Sequence, residues 1–196
     1  MPQVAPRSQP RWPYALAVAL LSVLPFLAAL GNDFVWDDFL NIHQNTLVTN
    51  PGAHGIDEML TATWAGHYAP LTWLSLAANH AVDGTASARS YILTNLVLHS
   101  VNAALVFLLF ARLLPESLEH WRLPWAAIGA LFFALHPLRV ESVVWVTERR
   151  DVLSLCFLLL SLLAWMRYED RKSWQHDPPG LRHKRDDKAD QGQCVA

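Results

Sequence analysis

Two stretches of this chain run without a charge for longer than a bilayer is thick. Between Arg11 and Asp33 there are 21 residues with no Asp, Glu, Lys or Arg, and between Arg89 and Arg112 there are 22. A helix needs ~20 mostly apolar residues to cross the hydrocarbon core. Two shorter windows follow, 16 residues between Arg122 and Arg139 and 15 between Asp151 and Arg167. These reach across only with snorkelling arginines or with apolar flanks such as VVWV (143–146) drawn in, and otherwise form a re-entrant hairpin. The expected class is an all-α polytopic membrane protein of about four spans, near 13–31, 90–111, 124–138 and 151–167.

Composition agrees. Of the 196 residues 53% are apolar and only 16% charged, against the usual quarter for soluble domains. Nine tryptophans suit bilayer interfaces. A net charge of −2 with no basic block or zinc spacing argues against nucleic acid. Cys156 lies in an apolar run and Cys194 in a polar tail, so no disulfide is expected between them. The first run also reads as a signal peptide, with Arg7 and Arg11 before it and ALG (29–31) as a cleavage site.

Orientation follows from the basic residues. With the N-terminus inside, eleven of them fall inside (7, 11, 112, 122, 167, 171, 172, 182, 184, 185 and 188). Only Arg89, Arg139, Arg149 and Arg150 fall outside. This is the positive-inside bias. A fifth crossing by YAPLTWLSLAANHAV (68–82) would reverse it, and would carry Pro70, Asn79 and His80 through lipid. That segment reads instead as an interfacial helix over 69–82, with Trp73 and its leucines in lipid. The resulting layout is a cytoplasmic stretch 1–12, a membrane domain 13–171 with external loop 32–89, and a disordered polar tail 172–196. The connector 136–151 then shares the external face with that loop. Both termini are cytoplasmic, in an inner or plasma membrane, or in endoplasmic reticulum.

The polar residues of these two segments carry the candidate chemistry. In FVWDDFLNI (34–42), Asp37 and Asp38 follow an interfacial tryptophan. Adjacent like charges at low dielectric raise one pKa, so one carboxylate can accept a hydroxyl proton. The competing reading is a helix cap over 38–45. Asn41, Gln44 and Asn45 add polar groups, and His43 beside an aspartate has no metal-ligand spacing in its favour. No cofactor is expected. His67 and Tyr68 precede Pro70 at the mouth of a helix, as substrate contacts or interface anchors. Asn95, His99 and Asn102 share one face of the second span, for helix packing or for lining a solute path.

The connector LHPLRVESVVWVTERRD (135–151) breaks a helix at His136-Pro137 and then gathers Glu141, Glu148, Arg149, Arg150 and Asp151. Adjacent arginines suit a phosphate. They also suit a salt-bridged loop with Asp151 capping the next helix. The chain contains no nucleophile elbow, P-loop, dinucleotide fingerprint or internal repeat.

WDD, YAPLTWLSLAANHAVDG, YILTNLVLHSVNAALVFLL and ALHPLRVESVVWVTERRDVLS occur in that order. From about Tyr14 to Tyr168 the chain resembles the N-terminal membrane part of the transmembrane and tetratricopeptide-repeat proteins. These are GT-C type glycosyltransferases related to protein O-mannosyltransferases. The resemblance implies a polyprenyl-phosphate sugar donor, a protein hydroxyl acceptor at the external face, and no required metal. It implies that Asp37 or Asp38 activates the acceptor, that Arg149 and Arg150 hold the lipid phosphate, and that His136 and Glu141 line the site. Full members continue with more spans and helical repeats, so the resemblance implies a truncated enzyme, or a split one completed by a complementary membrane subunit. A non-catalytic membrane scaffold and a small transporter are the alternatives.

Overall fold

A computed structural model describes residues 10–176. By its internal contacts the chain divides into two units, Met1–Leu159 and Leu160–Ala196. Among the described residues the second unit contains only the C-terminal part of the last helix. The fold below is that of the first.

Helix α1 (Trp12–Val23) carries Pro13 in its first turn, where a missing N–H costs nothing. Pro25 then removes a donor from the helical ladder. The chain tightens into a 3-10 stretch, Leu24–Gly31, rather than continuing as α-helix. Loop one holds a single π-turn (Phe39–His43) and three short helices. These are α2 (Thr46–Thr49), a 3-10 turn (Pro51–Ala53) and α3 (Ile56–Thr61). The Asn45 side chain caps α2 by accepting from the Leu47 N–H at 3.0 Å.

Helix α4 (Pro70–Asp83) ends at Gly84, whose φ of +60° a side chain would resist. It corrects only the expected placement of Trp73 in lipid. Thr72, Trp73, Leu76 and Ala77 are buried against protein, with Trp73 only 3% exposed. The apolar face therefore serves the core, while Leu71 is exposed.

Helix α5 (Arg89–Leu113) is the central element, packed on α1, α4 and α6 (Arg122–Ala134). Ala126, Ala130 and Ala134 recur every four residues along α6 and are fully buried, as are Ala103 and Ala111 on α5. Small residues let membrane helices approach closely and gain dispersion contacts that lipid cannot replace. A Cβ at Gly129 would sit 2.8 Å from the Phe110 ring, so α6 tolerates nothing larger there without a shift.

After α6 come a turn at 135–138, helix α7 (Arg139–Val144), and α8 (Arg149–His176). Residues 172–176 of the expected disordered tail are thus the end of a helix, and the rest of that tail lies outside the described residues.

Among the described residues three segments are long and apolar enough to cross a membrane: Trp12–Gly31, Arg89–Leu113 and Arg149–Lys172. Each contains one of the spans expected at 13–31, 90–111 and 151–167. The span expected at 124–138 contains most of α6, which has 13 residues and so reaches only about 20 Å at 1.5 Å per residue. The chain is an all-α membrane protein, and among the described residues no strand forms.

Candidate functional site

The segment leaving α1 turns sharply at Trp36, whose φ is +50°. A non-glycine residue in this region carries strain and persists only where its surroundings hold it. Here the indole stands edge-on to Trp145, with centroids 5.6 Å apart and planes at 87°. The turn sends the two aspartates into different environments.

Asp38 is buried, with 1% exposure. Its Oδ1 accepts from the Thr147 N–H at 2.9 Å and the Thr147 hydroxyl at 2.6 Å. Its Oδ2 accepts from the Val35 N–H at 2.9 Å. Burial pushes its pKa above the ordinary carboxylate value, opposed by the Thr147 and Val35 hydrogen bonds and reinforced by the Asp37 charge. The expected helix cap over 38–45 is corrected: Asp38 makes no side-chain cap, because its oxygens point back to Val35 and across to Thr147.

Asp37 is half-buried. Its Oδ2 accepts from Asn41 Nδ2 at 3.2 Å. Its Oδ1 is buried and has no hydrogen-bond partner in the structure. An unsatisfied buried carboxylate oxygen is costly and calls for a missing donor. Arg150 lies in the electrostatic field of Asp37, Glu148 and Asp151.

The expected arginine pair is split, which corrects the two-arginine phosphate clamp. Arg149 is 0% exposed. Its Nε donates to Asn95 Oδ1 at 2.9 Å, and Nη2 donates to the Tyr91 carbonyl at 2.7 Å. Nη1 reaches the Ser75 carbonyl and hydroxyl, each at 3.1 Å, and Asn79 Oδ1. Its donors are committed inside the protein, and no phosphate can reach them in this arrangement. Arg150 is half-exposed and pairs with Glu148. Asp151 does not cap α8. It lies in the first turn, and its Oδ2 accepts from the Ser142 hydroxyl at 3.1 Å.

Two adjoining clefts separate the first loop from α7. One, of about 490 Å³, is lined by Asn32, Asp33, Trp36, Asp38, Glu141 and Trp145, among others. The other, of about 340 Å³, is walled by Pro25, Phe26, Ala29, Leu135, His136 and Pro137. Both touch Asn32, Val140 and Val144. Glu141 and His136 thus flank one groove that passes from an apolar to an acidic end.

His67 and Tyr68 line neither cleft, and neither do Asp37 and Arg150. His67 closes a tight turn with Trp64 through Ala65 and Gly66, both at positive φ. The Tyr68 hydroxyl donates to the Leu60 carbonyl at 2.7 Å.

The polar face of α5 is used for packing. Asn95 Nδ2 donates to the Trp145 carbonyl at 3.1 Å and Asn102 Nδ2 to that of Val152 at 2.7 Å. His99 Nε2 lies 3.1 Å from the Ala134 carbonyl, so that nitrogen carries the proton. His43 packs its ring against Phe34 and Phe39. Among the described residues no group of three His, Cys, Asp or Glu side chains could hold a metal ion.

Sequence reasoning passed over Thr147, Asn32, Asp33 and Trp145. All four fell within the segments singled out, 32–89 and 135–151, but nothing in their residue types marked them.

No family model matches the chain, and no solved structure matches it. It is similar to several curated proteins. It is 31% identical over 161 residues to the human protein O-mannosyl-transferase TMTC2, covering 78% of this chain and 18% of that one. It is 33% identical over 164 residues to the Drosophila melanogaster protein O-mannosyl-transferase Tmtc1, covering 79% and 18%. A Caenorhabditis elegans protein O-mannosyl-transferase is 29% identical over 165 residues, covering 78% and 23%. The chain spans about a fifth of the length of these relatives. By this similarity, carried across most of its own sequence, the chain is related to the protein O-mannosyl-transferases of the transmembrane and tetratricopeptide-repeat family.

Proposed function

We propose that the chain forms the acceptor-activating part of a GT-C-like glycosyltransferase. In this reading a sugar, mannose by the relatives' name, passes from a polyprenyl-phosphate donor to a protein hydroxyl at the external membrane face. Asp37 takes the hydroxyl proton, and the oxygen attacks the anomeric carbon. The bond from that carbon to the phosphate oxygen breaks, and the polyprenyl phosphate leaves with the electron pair. A base of this kind contributes through the proton it removes as charge develops on the oxygen.

One observation carries the choice of Asp37. Its Oδ1 has no hydrogen-bond donor, whereas both oxygens of its neighbour Asp38 are occupied. Asp38 instead holds the segment in place. Arg150 is the cation available to the departing phosphate, because Arg149 is committed internally and Arg150 keeps exposed surface near Asp37. The positive-inside bias supports placing the first loop and the 136–151 connector together on the external side.

The test is sugar transfer in membranes carrying the protein, with polyprenyl-phosphate mannose as donor and a hydroxyl peptide as acceptor. Asp37→Asn should lower transfer by on the order of 10²–10⁴-fold, with membrane level and heat stability unchanged. Near-normal transfer by Asp37→Asn would remove the base assignment.

A further inference from the structure

We infer that Asn95 and Arg149 are positioning residues: together they fix the 145–149 turn, and through Thr147 they hold the aspartate segment in place. The inference rests on the transferase reading of those aspartates for its kinetic part only.

The turn is short and gripped at both ends. Trp145 leaves α7 in extended conformation, and the Arg149 N–H donates to the Val146 carbonyl at 3.1 Å as α8 begins. One side chain spans the two ends. Asn95 Nδ2 donates to the Trp145 carbonyl at 3.1 Å, and Asn95 Oδ1 accepts from Arg149 Nε at 2.9 Å. Between these anchors stands Thr147, whose N–H and hydroxyl both donate to Asp38 Oδ1. A carboxamide supplies a donor and an acceptor at one planar end. An aspartate there would set a negative oxygen against the Trp145 carbonyl, and a leucine would supply neither contact.

Arg149 extends the grip to a further helix, α4, and to a second point on α5. Its remaining donors reach Ser75 and Asn79 on α4 and the Tyr91 carbonyl on α5. Every acceptor is neutral. Burying a cation this completely is costly, and neutral acceptors offset that cost only when the geometry is good. The planar guanidinium fork serves both helices at once, and a lysine ammonium cannot reproduce that fork. The path from the helical frame to the site is therefore continuous: α4 and α5, Arg149 and Asn95, Thr147, Asp38, and then Asp37.

The test uses the full chain in membranes, with Asn95→Asp, Asn95→Gln, Asn95→Leu and Arg149→Lys. Amide hydrogen exchange over 145–149 should quicken by about tenfold or more in Asn95→Leu and Arg149→Lys, because the turn opens locally. Turnover should fall by on the order of 10²-fold, as a misplacement near 1 Å produces. The KM for polyprenyl-phosphate mannose should stay within about twofold. Asn95→Gln, which keeps both polar groups, should recover more turnover than Asn95→Asp or Asn95→Leu.

Unchanged exchange over 145–149 in both Asn95→Leu and Arg149→Lys would overturn the inference. So would a raised donor KM with turnover kept, the mark of Arg149 binding the phosphate itself. If Arg149→Lys fails to accumulate, the Asn95 series decides by the same two readouts. Should the unsubstituted chain transfer no sugar, the transferase reading fails, and exchange alone still decides whether Asn95 and Arg149 hold the turn.

Discussion

Asp38 and Thr147 lie 109 residues apart in the chain and are joined by two hydrogen bonds to one carboxylate oxygen, at 2.6 and 2.9 Å. This contact ties the first loop to the start of α8 and closes the floor of the acidic cleft. Replacing Asp38 by Asn keeps one acceptor oxygen but turns an amide N–H₂ toward another donor. Asp38→Asn should therefore destabilise the protein by about 1–3 kcal/mol, as a buried unsatisfied donor does. Thermal unfolding in detergent measures it, and a loss confined to activity would show that the contact is not structural.

The same carboxylate gives stability a pH dependence of defined sign. Burial raises the folded-state pKa of Asp38 above its ordinary value of 3.8. The folded protein then binds the proton more readily than the unfolded chain, so this group's contribution falls as pH rises through the window. The penalty is fully present above the raised pKa and is relieved as pH falls toward the unfolded value. The midpoint contributed by this group should rise as pH falls toward the ordinary value of 3.8, and the difference between wild type and Asp38→Asn should isolate that slope. Parallel curves for the two proteins over that range would show that Asp38 does not titrate there.

The spans were the most legible part of the sequence because charge-free length is set by bilayer thickness and needs no tertiary information. The meeting of WDD with the 136–151 connector was legible as well, from an even number of crossings. The arginine pair was not. Side-by-side arginines look alike in a sequence, yet α8 begins at Arg149, and successive residues on a helix point about 100° apart. One guanidinium therefore enters the bundle while its neighbour stays at the surface. Trp73 misled for a related reason: an amphipathic helix with tryptophan reads the same whether its apolar face meets lipid or protein.

Two tryptophans separate those alternatives. Trp73→Ala should cost about 3–5 kcal/mol, the loss expected from emptying a packed aromatic site. Trp36 is 84% exposed, and Trp36→Gly should leave stability within about 1 kcal/mol, since glycine also relieves the positive φ. Unfolding midpoints of the two variants side by side decide it. A small loss at Trp73 would show that its ring is not packed in the protein core.

The α5–α6 contact rests on alanines without exposed surface. Ala130→Leu inserts three carbons at a site on α6 with no exposed surface, next to Gly129, which already meets the Phe110 ring of α5. Overpacking of this kind costs about 1–3 kcal/mol or forces the helices apart. Lower heat stability with unchanged membrane insertion is the expected result. Ser117→Ala, on the exposed 3-10 turn between the same helices, should change neither.

The placement of the site on one side of the membrane is open to direct labelling. Asp33 and Glu141 are exposed residues in the walls of the same cleft, and Ser117 lies on the turn between α5 and α6. With Cys156 and Cys194 replaced by Ser, single cysteines go to positions 33, 141 and 117. A membrane-impermeant maleimide added from outside should label 33 and 141 and leave 117 untouched until the bilayer is opened. In the proposed layout position 117 faces the basic, cytoplasmic side, as the positive-inside bias expects. Labelling of 33 and 141 from opposite compartments would leave Asp37 and Arg150 with no common aqueous face on which to act.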